Sequence, residues 1–184
     1  MRYTGLEEFG AVGTMIGYGL TGTGGTAATA LDRRKRGAQN MVDAYSRTAA
    51  DTVRILLVDS GNPANRRDSL YGLAAPLDLE GLIAPGDSGG GLFIGDGAEA
   101  GLVGVASYIR GFDGRNDSDY SDTAAFTRIS AFNSWIDETI QSHPGLTGTG
   151  DPLSPDGAAA NTPEPASLTL LAFGLGALAA RRRR

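Results

Sequence analysis

The chain has 184 residues, with 16 lysines and arginines against 21 aspartates and glutamates, one histidine and no cysteine. The lack of cysteine excludes disulfides, thiolate nucleophiles, zinc fingers and iron–sulfur clusters. A net charge of −5 argues against nucleic acid as the main partner. With 41% apolar and 20% charged residues the chain is expected to bury a core, and its 28 glycines predict a turn-rich, all-β body.

Six short strands are predicted, because β-branched and aromatic residues cluster in segments that Gly, Asn, Asp and Pro separate. The predicted strands cover residues 10–19, 37–46, 51–59, 89–95, 100–110 and 123–130. Residues 131–142 follow as the one convincing helix, with Ser130 as its expected N-cap and Phe132, Trp135, Ile136 and Ile140 near one face. Many short strands with glycine-rich turns predict a sandwich or a barrel.

The C-terminal part of the chain has a different composition. Residues 144–162 are rich in Pro, Gly, Thr, Ala and Asp, which predicts a flexible linker. The uncharged segment 166–180 follows, and as a 15-residue helix it would be about 22 Å long. This is short of the ~30 Å hydrocarbon core of a membrane, so the segment spans only if flanking arginines snorkel and the bilayer thins.

A Pro-Glu-Pro tripeptide and a cluster of arginines flank that apolar segment. It is preceded by Pro163, Glu164 and Pro165, and followed by Arg181, Arg182, Arg183 and Arg184. This order at the end of the chain resembles the PEP-CTERM sorting signal of Gram-negative bacteria, here over residues 163–184. The resemblance implies export, cleavage near Pro-Glu-Pro by an exosortase-type enzyme, and transient membrane anchoring before release to the periplasm, cell surface or extracellular matrix. The alternative is a plain C-terminal anchor.

The segment Gly-Asp-Ser-Gly-Gly at 86–90 is the main candidate for chemistry. A serine becomes a nucleophile when a base takes its proton and donors hold the oxyanion, and neighbouring glycines let the backbone aim N–H groups at one point. The segment also fits the G-x-S-x-G pattern of α/β-hydrolases, in which the serine lies between a strand and a helix. Here a proline directly precedes the turn, and three glycines followed by Leu-Phe-Ile predict a strand, so the context argues against that fold.

Residues 86–92 (GDSGGGL) resemble the serine motif of chymotrypsin/trypsin-like proteases. Four further segments resemble that family in the right order, and together the matches span about residues 10–142. They are GYGLTG at 17–22, GVASY at 104–108, FTRISAF at 126–132 and WI at 135–136. The resemblance implies the six-stranded second (C-terminal) barrel of the family at 10–143, with one terminal helix. Residues 1–9 would be a remnant of the inter-barrel segment, the first barrel would be missing, and a linker and a short apolar tail helix would follow.

The resemblance also implies roles for the residues of the serine motif. Ser88 would be the nucleophile, and the N–H groups of Gly86 and Ser88 would form the oxyanion hole. Asp87 would be buried and would support the site by pairing with a newly cut N-terminal amine. Neither a cofactor nor a metal is expected for this chemistry.

A peptide or protein substrate would bind beside that motif. Leu82 would form the floor of the specificity pocket, so a preference for Arg or Lys is not expected. Small or medium aliphatic side chains are expected instead, with Ile109 at the pocket mouth and Ala124 on a wall. Ser107 and Tyr108 would lie along the bound peptide and offer backbone hydrogen bonds.

A catalytic base has no candidate in this sequence. The single histidine, His143, follows the predicted helix and is interpreted as a solvated linker residue. The family's His and Asp belong to the first barrel, and residues 1–10 lack the apolar segment of an export signal. We therefore expect an N-terminally incomplete chain of an exported serine endopeptidase that is inactive alone, self-associating through an exposed apolar strip. The alternative is a non-catalytic cell-surface binding domain.

Two charged runs are interpreted as surface loops. Residues 33–36 (Arg-Arg-Lys-Arg) are expected to be solvated, with a processing site or an anionic-polymer contact as the alternative. Four aspartates, Asp113, Asp117, Asp119 and Asp122, share the loop 113–122. Their spacing is not that of an EF-hand, so a polar surface loop is favoured over a Ca²⁺ site.

Overall fold

The structure, a computed structural model, describes residues 1–5, 7–47, 52–65, 69–71 and 75–143. The chain divides into two compact units, Met1–Glu138 and Thr139–Arg184, and residues 139–143 are the described part of the second. Within the described residues the strands are β1 (Val12–Gly17), β2 (Thr21–Thr23), β3 (Ala27–Ala30), β4 (Arg36–Met41), β5 (Ala44–Arg47), β6 (Val53–Asp59), β7 (Gly91–Ile94), β8 (Gly101–Arg110) and β9 (Thr123–Arg128). One α-helix, α1 (Asn133–Ser142), follows a short 3₁₀ turn at Ile129–Phe132.

The main sheet closes on itself through one bent strand. Its order is β4-β1-β7-β8-β9-β6-β5, so β4 and β5 lie at its two edges. They are the two halves of one segment that bends at Val42 and Asp43, whose N–H groups donate to the carbonyls of Ala11 and Leu57. Because the segment pairs with β1 before the bend and with β6 after it, the antiparallel strands form a closed barrel. The predicted all-β fold with one C-terminal helix is confirmed.

Apolar side chains from nearly every strand fill this barrel. Phe126, Leu56 and Leu92 are fully buried, and they belong to one cluster with residues from the bend and from the segment before the serine motif. The whole cluster consists of Met15, Val42, Leu56, Val58, Ile83, Leu92, Val103, Ala106, Ala124 and Phe126. Burial of this cluster fixes the positions of β7, which directly follows the serine motif, and of β8, to which the motif is hydrogen-bonded.

The six predicted strands all occur, but two local expectations were wrong. The expected strand at 37–46 is split by the bend at Val42 and Asp43. Ser130 is not the helix N-cap: α1 begins at Asn133, and the buried Ser130 hydroxyl donates instead to a carboxylate of the N-terminal segment. On the helix face that was predicted to be apolar, the Trp135 residue is 63% exposed to solvent.

The hairpin of β2 and β3 was not predicted. Its strands are short and consist of Thr, Gly and Ala, and Gly and Ala are depleted in strands. Backbone hydrogen bonds to the 113–122 loop hold it in place, because Ala28 N donates to Asp117 O and Tyr120 N donates to Gly24 O. The hairpin is therefore stabilised by a partner that lies about ninety residues further along the chain.

Candidate active site

The serine motif forms two consecutive tight turns. Asp87 N donates to Ala84 O (2.9 Å), and Gly90 N donates to Asp87 O (2.9 Å). Gly86 and Gly89 have φ angles of +101° and +83°, a region that is open to glycine and strained for other residues. The glycines thus place Ser88 at an exposed central position of the second turn.

Asp87 anchors these turns to the end of β1. Its Oδ1 accepts a hydrogen bond from Gly19 N (2.6 Å), and its Oδ2 accepts one from Ala84 N (2.9 Å). A Cβ at Gly17 or Gly19 would collide with the Asp87 carboxylate, so both glycines of the Gly-Tyr-Gly segment are required by this contact. This pairing was not predicted from the sequence, although the two glycines that flank Tyr18 were an available signal.

The Asp87 side chain is half-buried. Within the described residues its partners are backbone amides and not an amine. The carboxylate also lines a cavity of about 570 Å³, together with Leu82, Gly17 and Gly19. Space for a further partner is therefore present beside Asp87.

The serine turn docks onto the middle of β8. Gly89 N donates to Ala106 O (3.0 Å), and Ala106 N donates to Gly90 O (2.8 Å). The pairing of β8 with β9 shifts register between Ala106 and Tyr108, so Ser107 is the extra residue of a bulge. Ser88 and Ser107 are thus each one residue away from the Gly89–Ala106 hydrogen bond.

After the bulge, β8 pairs with a neighbouring strand along one of its two edges. Tyr108, Ile109 and Arg110 pair with β9, whereas the pairing of β8 with β7 ends at Val105. Ser107 and Tyr108 are exposed. A strand with one open edge can receive an extended peptide through backbone hydrogen bonds.

The amides around Ser88 are available to an external acceptor. In the described part of the chain, neither Gly86 N–H nor Ser88 N–H donates to a protein acceptor, and the Ser88 hydroxyl has no partner. Both residues are exposed. Two free N–H groups next to a free hydroxyl have the chemistry that stabilises an oxyanion at a serine nucleophile.

The residues predicted for the specificity pocket lie at the barrel wall. Ile109 and Ala124 are directly opposite each other on β8 and β9, and Ala124 is fully buried. Leu82 and Ile109 are half-buried and pack against the core cluster. The 570 Å³ cavity is lined by Leu82 but not by Ser107, Ile109 or Ala124, so it lies on the Asp87 side of the turn.

The single histidine is engaged at the end of its own helix. The Nδ1 atom of His143 lies 3.0 Å from the Ser142 hydroxyl and 3.0 Å from the Thr139 carbonyl oxygen. The residue is exposed. These local contacts are those of a helix-end residue.

The two charged runs differ in their surroundings. Residues 33–36 are exposed, and Arg36 pairs with Asp32, which fits the expected solvated loop. In the other run, Asp117, Asp119 and Asp122 place carboxylate oxygens within 4.8 Å of one another. Asp122 is fully buried and accepts hydrogen bonds from two backbone amides of its loop, so it is a structural residue. The three aspartates are the group among the described residues that could hold a cation.

Comparison with solved structures identifies the architecture. The chain is similar to neuropsin, a serine protease expressed in the limbic system of mouse brain, with a TM-score of 0.50 and 16% sequence identity. The chain has a chymotrypsin-like β-barrel fold. The match covers 76% of this chain and 52% of the neuropsin chain, so this chain spans about half of neuropsin's length. At this identity the likeness concerns the fold alone. Among curated protein sequences, none matches this chain.

The C-terminal region matches a family of its own. Residues 161–184 match the PEP-CTERM protein-sorting motif, which confirms the sorting signal expected there. The motif implies export and sorting in a Gram-negative bacterium and recognition by an exosortase. The linker 144–162 and the apolar segment 166–180 lie outside the described residues, so their structures stay predictions. Among the residues that are described, no helix has the length and apolar character to cross a membrane.

Proposed function

We propose that residues 10–143 are the nucleophile-bearing barrel of an exported serine endopeptidase. The observation that carries the proposal is Ser88 at the tip of a glycine-built turn, with its hydroxyl and the adjacent amides free. The one-sided edge of β8 runs beside it. The His and Asp of the catalytic triad would come from a segment outside this sequence, so the chain by itself would be inactive.

In this proposal Ser88 attacks the scissile carbonyl while the external histidine accepts its proton. The N–H groups of Gly86 and Ser88 hold the resulting oxyanion, a contribution on the scale of about 3 kcal/mol per donor. The proton then passes to the leaving amine, which departs as the acyl-enzyme forms, and water hydrolyses the ester. The substrate peptide is held by strand addition at Ser107 and Tyr108.

Substrate preference follows from the wall of the barrel. Leu82 on the floor carries no charge that would select Arg or Lys. Ile109 and Ala124 are cross-strand neighbours on β8 and β9, and both side chains are uncharged. We therefore propose small or medium aliphatic side chains at the residue before the cleaved bond.

Asp87 would support the site by binding the α-amine that proteolytic activation creates. Its carboxylate borders the 570 Å³ cavity, which is large enough for the first residues of another chain segment. A new α-amine that enters this cavity would find a carboxylate held by only two amides. In the same proposal the exosortase acts at Pro163, Glu164 and Pro165, while the apolar segment and the four terminal arginines anchor the chain in the membrane until cleavage.

A non-catalytic binding domain is the second candidate. It is favoured by the local contacts of His143, because His143 is the single histidine of this sequence and is bound at the end of its own helix. Such a domain would keep the open β8 edge as a peptide-binding surface at the cell envelope. The two candidates differ in whether Ser88 becomes reactive when the rest of the protein is supplied.

A serine-directed fluorophosphonate probe distinguishes them. The 184-residue chain would be labelled alone and together with the polypeptide encoded in frame upstream of Met1. We expect no labelling of the chain alone and stoichiometric labelling at Ser88 in the combination. Ser88→Ala is expected to abolish the labelling, and Ser134→Ala, an exposed helix serine, to leave it unchanged.

Two results would contradict the protease proposal. One is a combination that contains the upstream polypeptide and still leaves Ser88 unlabelled. The other is a stop codon close upstream of Met1 with a functional ribosome-binding site, which would favour the binding domain. Labelling of the isolated chain at Ser88 would contradict the narrower claim that the base is external.

A further inference from the structure

Three carboxylates converge in the loop 113–122, which borders the 570 Å³ cavity. Asp117, Asp119 and Asp122 each place one carboxylate oxygen within 4.8 Å of the other two. Asp122 is fully buried, and the other two residues are half-buried. Like charges at this spacing repel one another, so the folded chain carries an electrostatic cost at this point.

One oxygen in this group has no partner although it is buried. Asp117 is half-buried as a residue, but its Oδ1 atom is shielded from solvent, and within the described residues no donor is hydrogen-bonded to it. A buried carboxylate oxygen without a donor or a cation is strongly unfavourable, and folded proteins almost always provide one. The unsatisfied Oδ1 atom therefore points to a ligand that donates a hydrogen bond or carries positive charge.

The electrostatics of Asp119 favour a cation rather than a neutral donor. Burial raises the pKa of its carboxyl group first, and three neighbouring acids raise it further, namely Asp122, Asp117 and Asp113. A cation held among these acids would replace their repulsion with attraction. The loop therefore gains more from a bound cation than an isolated surface aspartate does.

The donor atoms favour Ca²⁺. They are all carboxylate oxygens, and Ca²⁺ binds oxygen at about 2.4 Å, so oxygens on opposite sides of one ion are ~4.8 Å apart. The spacing in the loop is within that span. Phe112 N and Ser118 N each donate to one oxygen of Asp122 (both 3.0 Å), but a carboxylate oxygen accepts two bonds and can still bind an ion. Ca²⁺ tolerates irregular geometry, whereas Mg²⁺ demands near-octahedral contacts.

We propose that Asp117, Asp119 and Asp122 form a Ca²⁺ site. The three carboxylates supply oxygen ligands, and water completes the coordination shell where Asp117 and Asp119 reach the surface. The bound ion supplies the positive partner that Asp117 Oδ1 lacks. The inference stands whether or not the barrel is catalytic, because it rests on the carboxylates of this loop and on the unsatisfied oxygen among them.

The loop that would bind the ion is attached to two other parts of the barrel. Asp117 O accepts a hydrogen bond from Ala28 N in β3 (2.6 Å), and Ser118 Oγ donates to Ile83 O (2.7 Å). Ile83 belongs to the segment that leads into the serine motif. An ion bound by Asp117 and Asp119 holds the backbone on both sides of Ser118. Ca²⁺ binding should therefore stabilise the β2–β3 hairpin and the segment before the serine motif together.

Calcium titration of the full 184-residue chain by isothermal calorimetry tests the site, after a chelator has removed adventitious metal. We expect one Ca²⁺ to bind per chain. Asp117→Asn should weaken that binding at least tenfold, because it removes a charged ligand. Asp96→Asn is the matched control, since Asp96 is an exposed aspartate of another loop, and it should bind Ca²⁺ as the unsubstituted chain does. Mg²⁺ should bind at least tenfold more weakly than Ca²⁺.

Thermal unfolding gives a second readout. Ca²⁺ should raise the melting temperature of the unsubstituted chain, since an ion that binds only the folded state stabilises it. This rise should be absent in Asp117→Asn. Without metal, Asp117→Asn should melt at or above the temperature of the unsubstituted chain, because one of three repelling charges is gone.

Several results would overturn the proposal. One is the absence of both heat and a melting shift up to about 10 mM Ca²⁺, which is beyond the range of the weakest protein calcium sites. Another is an equal loss of binding in Asp96→Asn and Asp117→Asn, which would show diffuse attraction to an acidic chain. Equal affinity for Mg²⁺ would overturn the choice of ion. If Asp117→Asn does not fold, Asp119→Asn replaces it with the same expectations.

Discussion

Glu8 and Arg128 form a buried two-point ion pair, although 120 residues separate them in the sequence. Arg128 Nε lies 3.0 Å from Glu8 Oε1, and Arg128 Nη2 lies 2.7 Å from Oε2. Ser130 donates a further hydrogen bond to Glu8 (2.7 Å), and Tyr45 donates another (3.1 Å). The fully buried Glu8 carboxylate thereby attaches the N-terminal segment to β9 and β5.

Glu8→Gln should destabilise the barrel by about 3 kcal/mol, because Arg128 would be left without its charge partner in a buried site. Urea denaturation at neutral pH measures the change. Glu7→Gln is the matched control, since Glu7 is exposed and adjacent, and its effect should be within about 0.5 kcal/mol. Equal effects of the two substitutions would show that the ion pair does not stabilise the fold.

The contribution of Glu8 should depend on pH in a defined direction. Burial by itself raises the pKa of Glu8, but the hydrogen bonds from Arg128 and Ser130 outweigh it and hold the pKa below its ordinary value. The stabilisation is therefore complete above the ordinary pKa of about 4.3 and is lost as the pH falls through the lowered folded-state value. Denaturation of the unsubstituted chain and of Glu8→Gln at several pH values should show the difference shrinking in acid. A constant difference down to about pH 2 would contradict this.

Gly19→Ala should disturb the serine turn by displacing the Asp87 side chain, which is hydrogen-bonded to Gly19 N. An added Cβ would lie 2.6 Å from the Asp87 carboxyl carbon, so the carboxylate must move and lose its bond to Gly19 N. We expect a loss of about 1 to 3 kcal/mol in thermal unfolding, the usual cost of overpacking. Gly37→Ala is the control, because its Cβ would meet Met15 O at an ordinary 3.6 Å. A Gly19 variant as stable as the control would refute the tight contact.

Phe126→Ala should remove about 3 to 5 kcal/mol, because Phe126 is fully buried at the centre of the core cluster. Phe112 provides a comparison of the same residue type, since it is 72% exposed and its truncation should cost little. Denaturant unfolding of both variants measures the contrast. Similar losses at the two positions would mean that the barrel interior is not packed as described.

The strands and the serine turn could be predicted because their signals are local. Alternating β-branched residues mark a strand wherever it lies, and the glycines at 86 and 89 are required by the φ angles of the turn itself. The sorting motif is likewise a contiguous pattern, and its match at 161–184 bears this out. In each case the residues that define the feature are neighbours in the chain.

Features that depend on distant partners escaped prediction. The split of the 37–46 strand at Val42 and Asp43 follows from the need to pair with β1 and then with β6. Serine is a residue type that favours the N-cap position, yet the Ser130 hydroxyl donates a hydrogen bond to Glu8. One partner of Asp87, the amide of Gly19, also comes from a distant part of the chain. Local propensity is overruled in these places because a buried polar group takes the partner that the fold supplies.

By itself the sequence determined where most of the strands, the serine turn and the sorting signal lie, since each is encoded by consecutive residues. The tertiary structure decided how the buried carboxyl groups behave. Glu8 meets an arginine and stays ionised, whereas Asp43 meets two other acids and holds its proton towards neutral pH. One buried carboxyl group is therefore ionised and the other is protonated in the acid range, because the electrostatic energy of a buried group depends on the neighbours that folding places beside it.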